Sequence, residues 1–421
     1  MKILLLTDIP PSKDYTAGIV LNQLVRFLPG DTVVCYCVHN ARLKVRLSPD
    51  LDFPVAYDIK PRENWNFLGP VGTLSSSIVE GYYETIGLRK LTKNVVRFGK
   101  THGVDRLWGV LQGQTMIRLA TRAAGDLQVP LLTQIWDPPH WWLRANRVDP
   151  CTSSRVIRQF GEAVRKSRCC ATASVPMAED YRKRYGTKTI AFLPSLGSQE
   201  ALPPSVAPHC DDEFTIGIAG QIYARDAWSA LLHALAEHDW NVQGRNIRIQ
   251  HIGNPIPVEK DFTDRITLCG WKSQEETIRL LSGTDLTYCP YWFDPVFENE
   301  ARMSFPSKLT TYYASGRPVL FHGPPYAAPA RFIETTQSGI CCYSLDHHSV
   351  ISSLAHIIEN PRHYGELTAR GREVFLRYLT LDTLKQNFID FTHSTDYADP
   401  PASADENSIL TGNSAGPDDR Q

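Results

Sequence analysis

Two stretches of this sequence carry residue types suited to a charged substrate. The first is SFPSKLTTYYASGRPVLF, residues 304–321. Ser304 or Phe305 is expected to cap a short helix, Pro306 to fit its first turn, Gly316 its left-handed exit, and residues 318–321 to form a buried strand. The backbone N–H groups of Ser307 and Lys308 would then lack intrahelical acceptors, and the aligned peptide dipoles would add partial positive charge there. Lys308 brings a full charge to the same end, so an anion is favoured. Thr310 and Thr311, about one turn further in, would reach a sugar hydroxyl attached to a bound diphosphate. The same letters also describe an ordinary amphipathic helix, with Leu309 and Tyr313 in a core and Lys308 in solvent. The second stretch is QIWDPPHWW, residues 134–142. It follows a buried run, which sets Asp137 and His140 at the carboxyl end of a sheet, where ligands bind in open α/β folds. Against chemistry stands a turn-capping role for Asp137 and a packing role for His140 among Trp136, Trp141 and Trp142.

These residues need a scaffold, and its signals run along the whole chain. Apolar runs at residues 2–7, 32–38, 106–111, 130–135, 169–173 and 188–193 alternate with helical stretches such as 19–28, the pattern of a doubly wound parallel sheet. Residues 202–213, LPPSVAPHCDDE, read as a linker. The pattern restarts with strands expected at 214–219, 247–252, 265–268, 285–290 and 339–342, and helices at 227–237, 275–282 and 350–358. Residues 61–77 are taken as an irregular excursion near the acceptor side, and residues 396–421, polar and rich in acidic side chains, as a disordered tail.

The segment PSKLTTYYASGRPV, residues 306–319, resembles the donor-binding segment of GT-B glycosyltransferases related to family 4, and DLTYCP at 285–290 fits the same pattern. The resemblance is close over residues 214–345 and covers the first domain only in layout. It implies two Rossmann-like doubly wound domains facing across a cleft: residues 1–201 on the acceptor side, residues 214–375 binding the donor, and a helix at 376–395 crossing back. It implies that the helix holds the diphosphate and ribose of a nucleotide sugar. Many members carry two glutamates eight positions apart; here those positions hold Met303 and Thr311. GQIYARD, residues 220–226, resembles the start of the second domain, which implies that Gly220 lets the backbone approach the donor and Arg225 meets the diphosphate. Gly18 would lie on the cleft floor, or simply ease a tight start to its helix. Asp137 or His140 would touch the acceptor or the transferring sugar. Of the acidic residues after the 285–290 strand, Glu298 is kept as a donor-side candidate and Glu300 is assigned to solvent.

The activity so implied is transfer of a sugar from a nucleotide sugar to a glycan or lipid-linked acceptor, as in bacterial polysaccharide or glycoconjugate synthesis, with retention at the anomeric carbon. Lys308, Arg225 and the helix N–H groups would stabilise the departing diphosphate, so neither metal nor cofactor is expected. An epimerase or phosphorylase of the same fold, or a catalytically silent nucleotide-sugar-binding partner, are the alternatives.

Bulk properties narrow the field. With 421 residues the chain suits two domains. Its 44 Lys and Arg balance 45 Asp and Glu, which leaves no global field to recruit nucleic acid. The Gly-x-Gly-x-x-Gly fingerprint is absent after the first strand, which argues against a nicotinamide dehydrogenase. Ten cysteines without a Cys-x-x-Cys pair read as buried thiols of a reducing compartment. The apolar start MKILLL is too short for a signal peptide, and no window has the length of a membrane span, so a cytoplasmic protein is expected. Residues 86–100 form a basic amphipathic helix, either packed on the sheet or docked on an anionic membrane at its inner face.

Overall fold

Strands covered on both faces must be apolar throughout, and the first one shows it: Ile3, Leu4, Leu5 and Leu6 are fully buried. The computed structural model describes residues 1–61, 63, 78–209 and 212–394. The expected disordered tail and nearly all of the 61–77 excursion lie outside the described residues.

The first sheet is parallel and contains β1 (Ile3–Thr7), β2 (Val33–His39), β3 (Val55–Ile59), β4 (Arg106–Val110), β5 (Leu131–Ile135), β6 (Cys169–Thr172) and β7 (Thr189–Ala191), in the order β3-β2-β1-β4-β5-β6-β7. The edge strand β3 is not among the sequence expectations, because its half-buried residues lack the continuous apolar run of its neighbours. The second sheet contains β8 (Glu213–Ala219), β9 (Asn241–Val242), β10 (Arg245–Ile252), β11 (Ile266–Leu268), β12 (Leu286–Pro290), β13 (Val319–His322) and β14 (Ile340–Cys342). Its parallel order is β11-β10-β8-β12-β13-β14, with β9 antiparallel beside β10. In each sheet the strand order reverses at the first strand, β1 or β8, and the crevice beyond the carboxyl ends at such a point is where α/β sheets take ligands.

Helices cover both faces. On the first sheet, the helices Leu88–Thr101, Gln114–Leu127 and Pro150–Lys166 lie over Leu4, Leu6, Val34 and Leu107. The opposite face, with Ile3, Leu5 and Trp108, is covered by Thr16–Val25 and by the C-terminal helix Leu381–His393. The helix before it, Pro361–Tyr378, belongs to the second core through Val374 and Phe375. The chain therefore passes between domains twice, and the two passages are bonded together: Leu196 N–H donates to the Leu379 carbonyl (3.0 Å) and Leu381 N–H to the Leu196 carbonyl (2.8 Å). Nine of the cysteines lie among the described residues, none in a disulfide, and burial pushes thiols such as Cys169 and Cys289 up to about 12.

Phe388 is fully buried on the returning helix, with its ring 5.0 Å from that of Trp108. Phe388→Ala is expected to cost about 3–5 kcal/mol of stability through the cavity it leaves. Denaturant unfolding followed by tryptophan fluorescence measures this; a loss under about 1 kcal/mol would show that the helix is a dispensable appendage.

Candidate active site

The helix Ser307–Ala314 begins at Pro306, which is extended at φ −75° and has no side-chain cap. Neither Ser304 nor Phe305 caps it, which corrects the expectation from sequence. Proline already has the φ needed to lead into a helix and brings no N–H of its own, so a capping side chain is not required for the turn to form. Ser304 instead accepts the Tyr291 hydroxyl on its carbonyl (2.8 Å), and Phe305 packs edge-on against Phe332. Gly316 beyond the helix end has φ 71°, and a Cβ there would lie 2.3 Å from the Pro203 carbonyl.

Tyr312 fixes this helix to the second sheet. Its hydroxyl accepts from Ala219 N–H at the end of β8 (3.0 Å) and donates to the Tyr288 carbonyl in β12 (3.1 Å). Lys308 is thereby held half-buried, with Nζ donating to the Gln221 carbonyl in the loop after β8 (2.8 Å). Burial pushes its pKa down, Cys289 acts weakly the other way, and no carboxylate enters the balance. A cation desolvated without a counter-charge is stabilised by an arriving anion.

Gly220 opens the same loop. Its φ is 75°, and nothing lies within 4 Å of the position a Cβ would take, so the backbone conformation requires glycine and the space above it is open. Its carbonyl is bonded to His251 Nε2 at 2.9 Å; burial lowers the pKa of this histidine, so a neutral ring donates Nε2–H. Arg225 is the first residue of the helix Arg225–Glu237 and is exposed. Asp226, the neighbour that would neutralise it, spends its two carboxylate oxygens on Ala227 N–H and Phe293 N–H, both at 2.9 Å.

The other donor-side candidates divide. Ser307 is exposed at the first helical position. Thr311, 8% exposed, accepts from Gln274 Nε2 at 3.0 Å. Thr310 is buried and donates to the Pro194 carbonyl in the chain passage between domains (2.8 Å). Glu298 pairs one turn ahead with Arg302 at 2.7 and 2.9 Å on the surface. Gly18 is a close-packing residue, since a Cβ there would lie 2.1 Å from Ser12 Oγ and 3.0 Å from the Pro10 carbonyl.

Across the cleft, Asp137 follows β5 and His140 stands in the first turn of the helix Pro139–Ala145. The residue that meets them from the second domain is Glu300. Assigned to solvent from sequence, it is 2% exposed. Arg144 of the first domain donates to its Oε1 at 2.9 Å, while Oε2 is buried with no partner. Arg144 also lies over the Phe297 ring at 5.3 Å. Burial first, then Glu300, raises the pKa of Asp137; burial and Arg184, with Arg144, lower that of His140 against the pull of Glu300. The signal for Glu300 was its phase. Residues 298 and 302 share a helix face, and a residue two on from Glu298 points the other way, with Ala301 and Met303, which are buried. Among the described residues no cluster of three or more His, Cys, Asp or Glu is arranged to hold a metal ion.

No protein-family model matches this sequence, and no curated protein does. The likeness appears in three dimensions. Anabaena HepE, solved in complex with UDP, superposes with a TM-score of 0.63 over 94% of this chain and 100% of that one at 14% identity. A sucrose-phosphate synthase from Thermosynechococcus elongatus gives 0.64 over 93% and 98% at 13% identity. The lipopolysaccharide outer core galactosyltransferase WaaB, in its apo form, gives 0.61 over 94% and 99% at 11% identity. What the chain shares with these structures is the GT-B fold.

Because Arg144 holds the one paired oxygen of Glu300, Arg144→Ala is expected to cost about 1–3 kcal/mol by stranding a buried carboxylate. Adding Glu300→Gln should return part of that loss. Chemical denaturation of the single and double variants decides the matter: strictly additive losses would mean that the two side chains do not interact.

Proposed function

We propose that this protein is a glycosyltransferase that moves a hexosyl group from a nucleotide sugar to a hydroxyl of a glycan or lipid-linked acceptor, without a metal and with retention. The observation that carries this reading is Lys308: a half-buried cation, facing a carbonyl instead of a carboxylate, at the uncapped start of a helix beside the switch point of the second sheet. HepE, which shares the fold, has been solved with UDP, with UDP and glucose, and with UDP-glucose.

Each residue then has a task. Lys308, Arg225 and the first N–H groups of the helix take up the charge that develops on the diphosphate as its bond to the anomeric carbon breaks. The acceptor hydroxyl attacks the same face, its proton passing to the leaving phosphate oxygen. Thr311 and Gln274 form a polar pair where many related enzymes place a carboxylate on the ribose. Asp137, His140 and the free oxygen of Glu300 face the sugar and acceptor hydroxyls from both sides.

A membrane-bound acceptor fits the outer face of the first domain. On the helix Leu88–Thr101, the apolar residues Leu88, Leu91 and Val95 are buried against the core, so they are unavailable to lipid. Arg89, Lys90, Lys93, Arg97 and Lys100 remain exposed. Just before them Ile78, Tyr82 and Ile86 are 64, 57 and 54% exposed at four-residue spacing, an apolar edge leading into the basic strip. Such a surface suits the face of an anionic membrane.

Lys308→Ala and Arg225→Ala are each expected to lower kcat/KM by about a hundredfold or more while leaving the fold intact. The assay supplies a panel of nucleotide sugars with glycan and prenyl-linked acceptors. Unchanged rates in both variants would remove these assignments, and conversion of a donor without acceptor would make the protein an epimerase. For the membrane contact, sedimentation with phosphatidylglycerol vesicles should recover the protein at low salt, with Lys93→Glu plus Arg97→Glu weakening recovery. Equal recovery with pure phosphatidylcholine would sink that part of the reading.

A further inference from the structure

His251 stands beside the donor site and takes no part in the chemistry above. It is fully buried one residue before the end of β10, in register with Ile218 of β8. An imidazole that water does not reach must find its partners in the protein. His251 has one: Nε2 lies 2.9 Å from the Gly220 carbonyl, while Nδ1 has no hydrogen-bond partner. Nothing holds a proton at Nδ1, and burial, opposed by the bond to Gly220 and assisted by the charge of Lys308, lowers the pKa. The ring is therefore neutral, with its proton on Nε2 and donated to Gly220.

That bond fixes a backbone group at the cleft. Gly220 is clamped to β10 through both its polar atoms: its N–H donates to the Ile252 carbonyl at 2.8 Å, and its carbonyl accepts from His251. In a trans peptide the C=O and the following N–H point in opposite directions. A Gly220 carbonyl turned inward to His251 thus turns the Gln221 N–H outward, where both residues are exposed and no atom lies within 4 Å of the place a Gly220 Cβ would take. No carbonyl of the described residues accepts from that N–H. The Gln221 carbonyl is taken by Lys308 Nζ at 2.8 Å. One loop residue is therefore flanked by a free N–H and an ammonium group, and both attract an anion.

The opposite orientation of this peptide shows what the histidine decides. Gly220, at φ 75°, has no Cβ to hinder rotation of the peptide that follows it. Without a donor in the interior its carbonyl would be buried and unpaired, and rotation would return it to water. The cleft would then be faced by a carbonyl oxygen, which repels a diphosphate, in place of an N–H, which attracts one.

We infer that His251 is a positioning residue for the donor diphosphate: by donating Nε2–H to the Gly220 carbonyl it holds the Gly220–Gln221 peptide with the Gln221 N–H toward the cleft, and that N–H joins Lys308 in binding the diphosphate. The inference rests on the glycosyl-transfer reading of this site. Only the donor at Nε2 matters to it, so a side chain that brings an N–H to the same place replaces the imidazole. Glutamine does so and leucine does not.

Calorimetric titration of the full chain with pyrophosphate tests this, with thermal melting of each variant alongside. His251→Leu is expected to weaken binding about tenfold, the size of one hydrogen bond to a charged group, and His251→Gln to stay within about twofold of wild type. Gln221→Pro removes the N–H itself at an exposed position and should also weaken binding about tenfold. In the double variant His251→Leu with Gln221→Pro the loss should equal that of either alone, because both remove the same contact. A His251→Gln protein as weak as His251→Leu, or losses that multiply in the double variant, overturns the inference. If His251→Leu does not fold, a Gln221→Pro affinity equal to wild type overturns it. Lys308→Ala separates the two readings. If it lowers pyrophosphate affinity while His251→Leu does not, the positioning role alone falls. If wild type does not bind pyrophosphate, or Lys308→Ala leaves binding unchanged, the donor reading falls and takes the positioning role with it.

Discussion

Partly burying a lysine costs free energy unless a counter-charge is supplied, and the second domain supplies none to half-buried Lys308. Its ammonium group meets a carbonyl of the loop after β8, and burial pulls its pKa down. Much of the surrounding architecture exists to hold that position. Tyr312 fastens the helix to two strand ends, Gly220 gives the facing loop its left-handed turn, and Asp226 turns its carboxylate toward backbone N–H groups, leaving Arg225 without it. Under the proposed function, that unmet cost would favour a bound diphosphate, and more so as charge accumulates on it during bond cleavage.

The first domain answers with the opposite sign. Glu300 reaches over from the second domain toward Asp137, whose pKa is raised by burial first and then by that carboxylate, and Arg144 takes one oxygen of Glu300. The cleft is thus cationic where a leaving group would sit and acidic where hydroxyls would sit. Its two walls stay in relation because the chain passages at Leu196 and at Leu379 to Leu381 bond to each other, and because the returning helix buries Phe388 and Phe391 in the first core. A contact such as Arg144 with Glu300 is formed between domains, so its geometry depends on how those passages set the two sheets.

How far the sequence could be read varied with how local the cause was. The parallel strands were legible because both their faces are covered and their runs are apolar; β3 was not, because an edge strand keeps one side half wet. The helix after Pro306 was legible, but its cap was misplaced, since proline removed the need for one. For Thr310 and Glu298 the letters did not reveal their partners within the protein, the Pro194 carbonyl and Arg302. The basic strip of the helix Leu88–Thr101 was plain in the letters, while the apolar edge beside it moved to Ile78, Tyr82 and Ile86 once the helix had spent its own apolar side on the core.

By itself the sequence determined what depends on neighbours along the chain: two α/β units split by a proline-rich linker, a short helix with a lysine at its start, and an acid and a histidine beyond a buried strand. Periodicity and turn chemistry are local, so they can be read residue by residue. Only the tertiary structure decided which charges go unpaired and which carboxylates are buried, because pairing and desolvation depend on residues far apart in the chain. Glu300 meets Arg144 across 156 positions, and Glu63 caps a helix 52 positions away. No window of sequence contains both members of either pair.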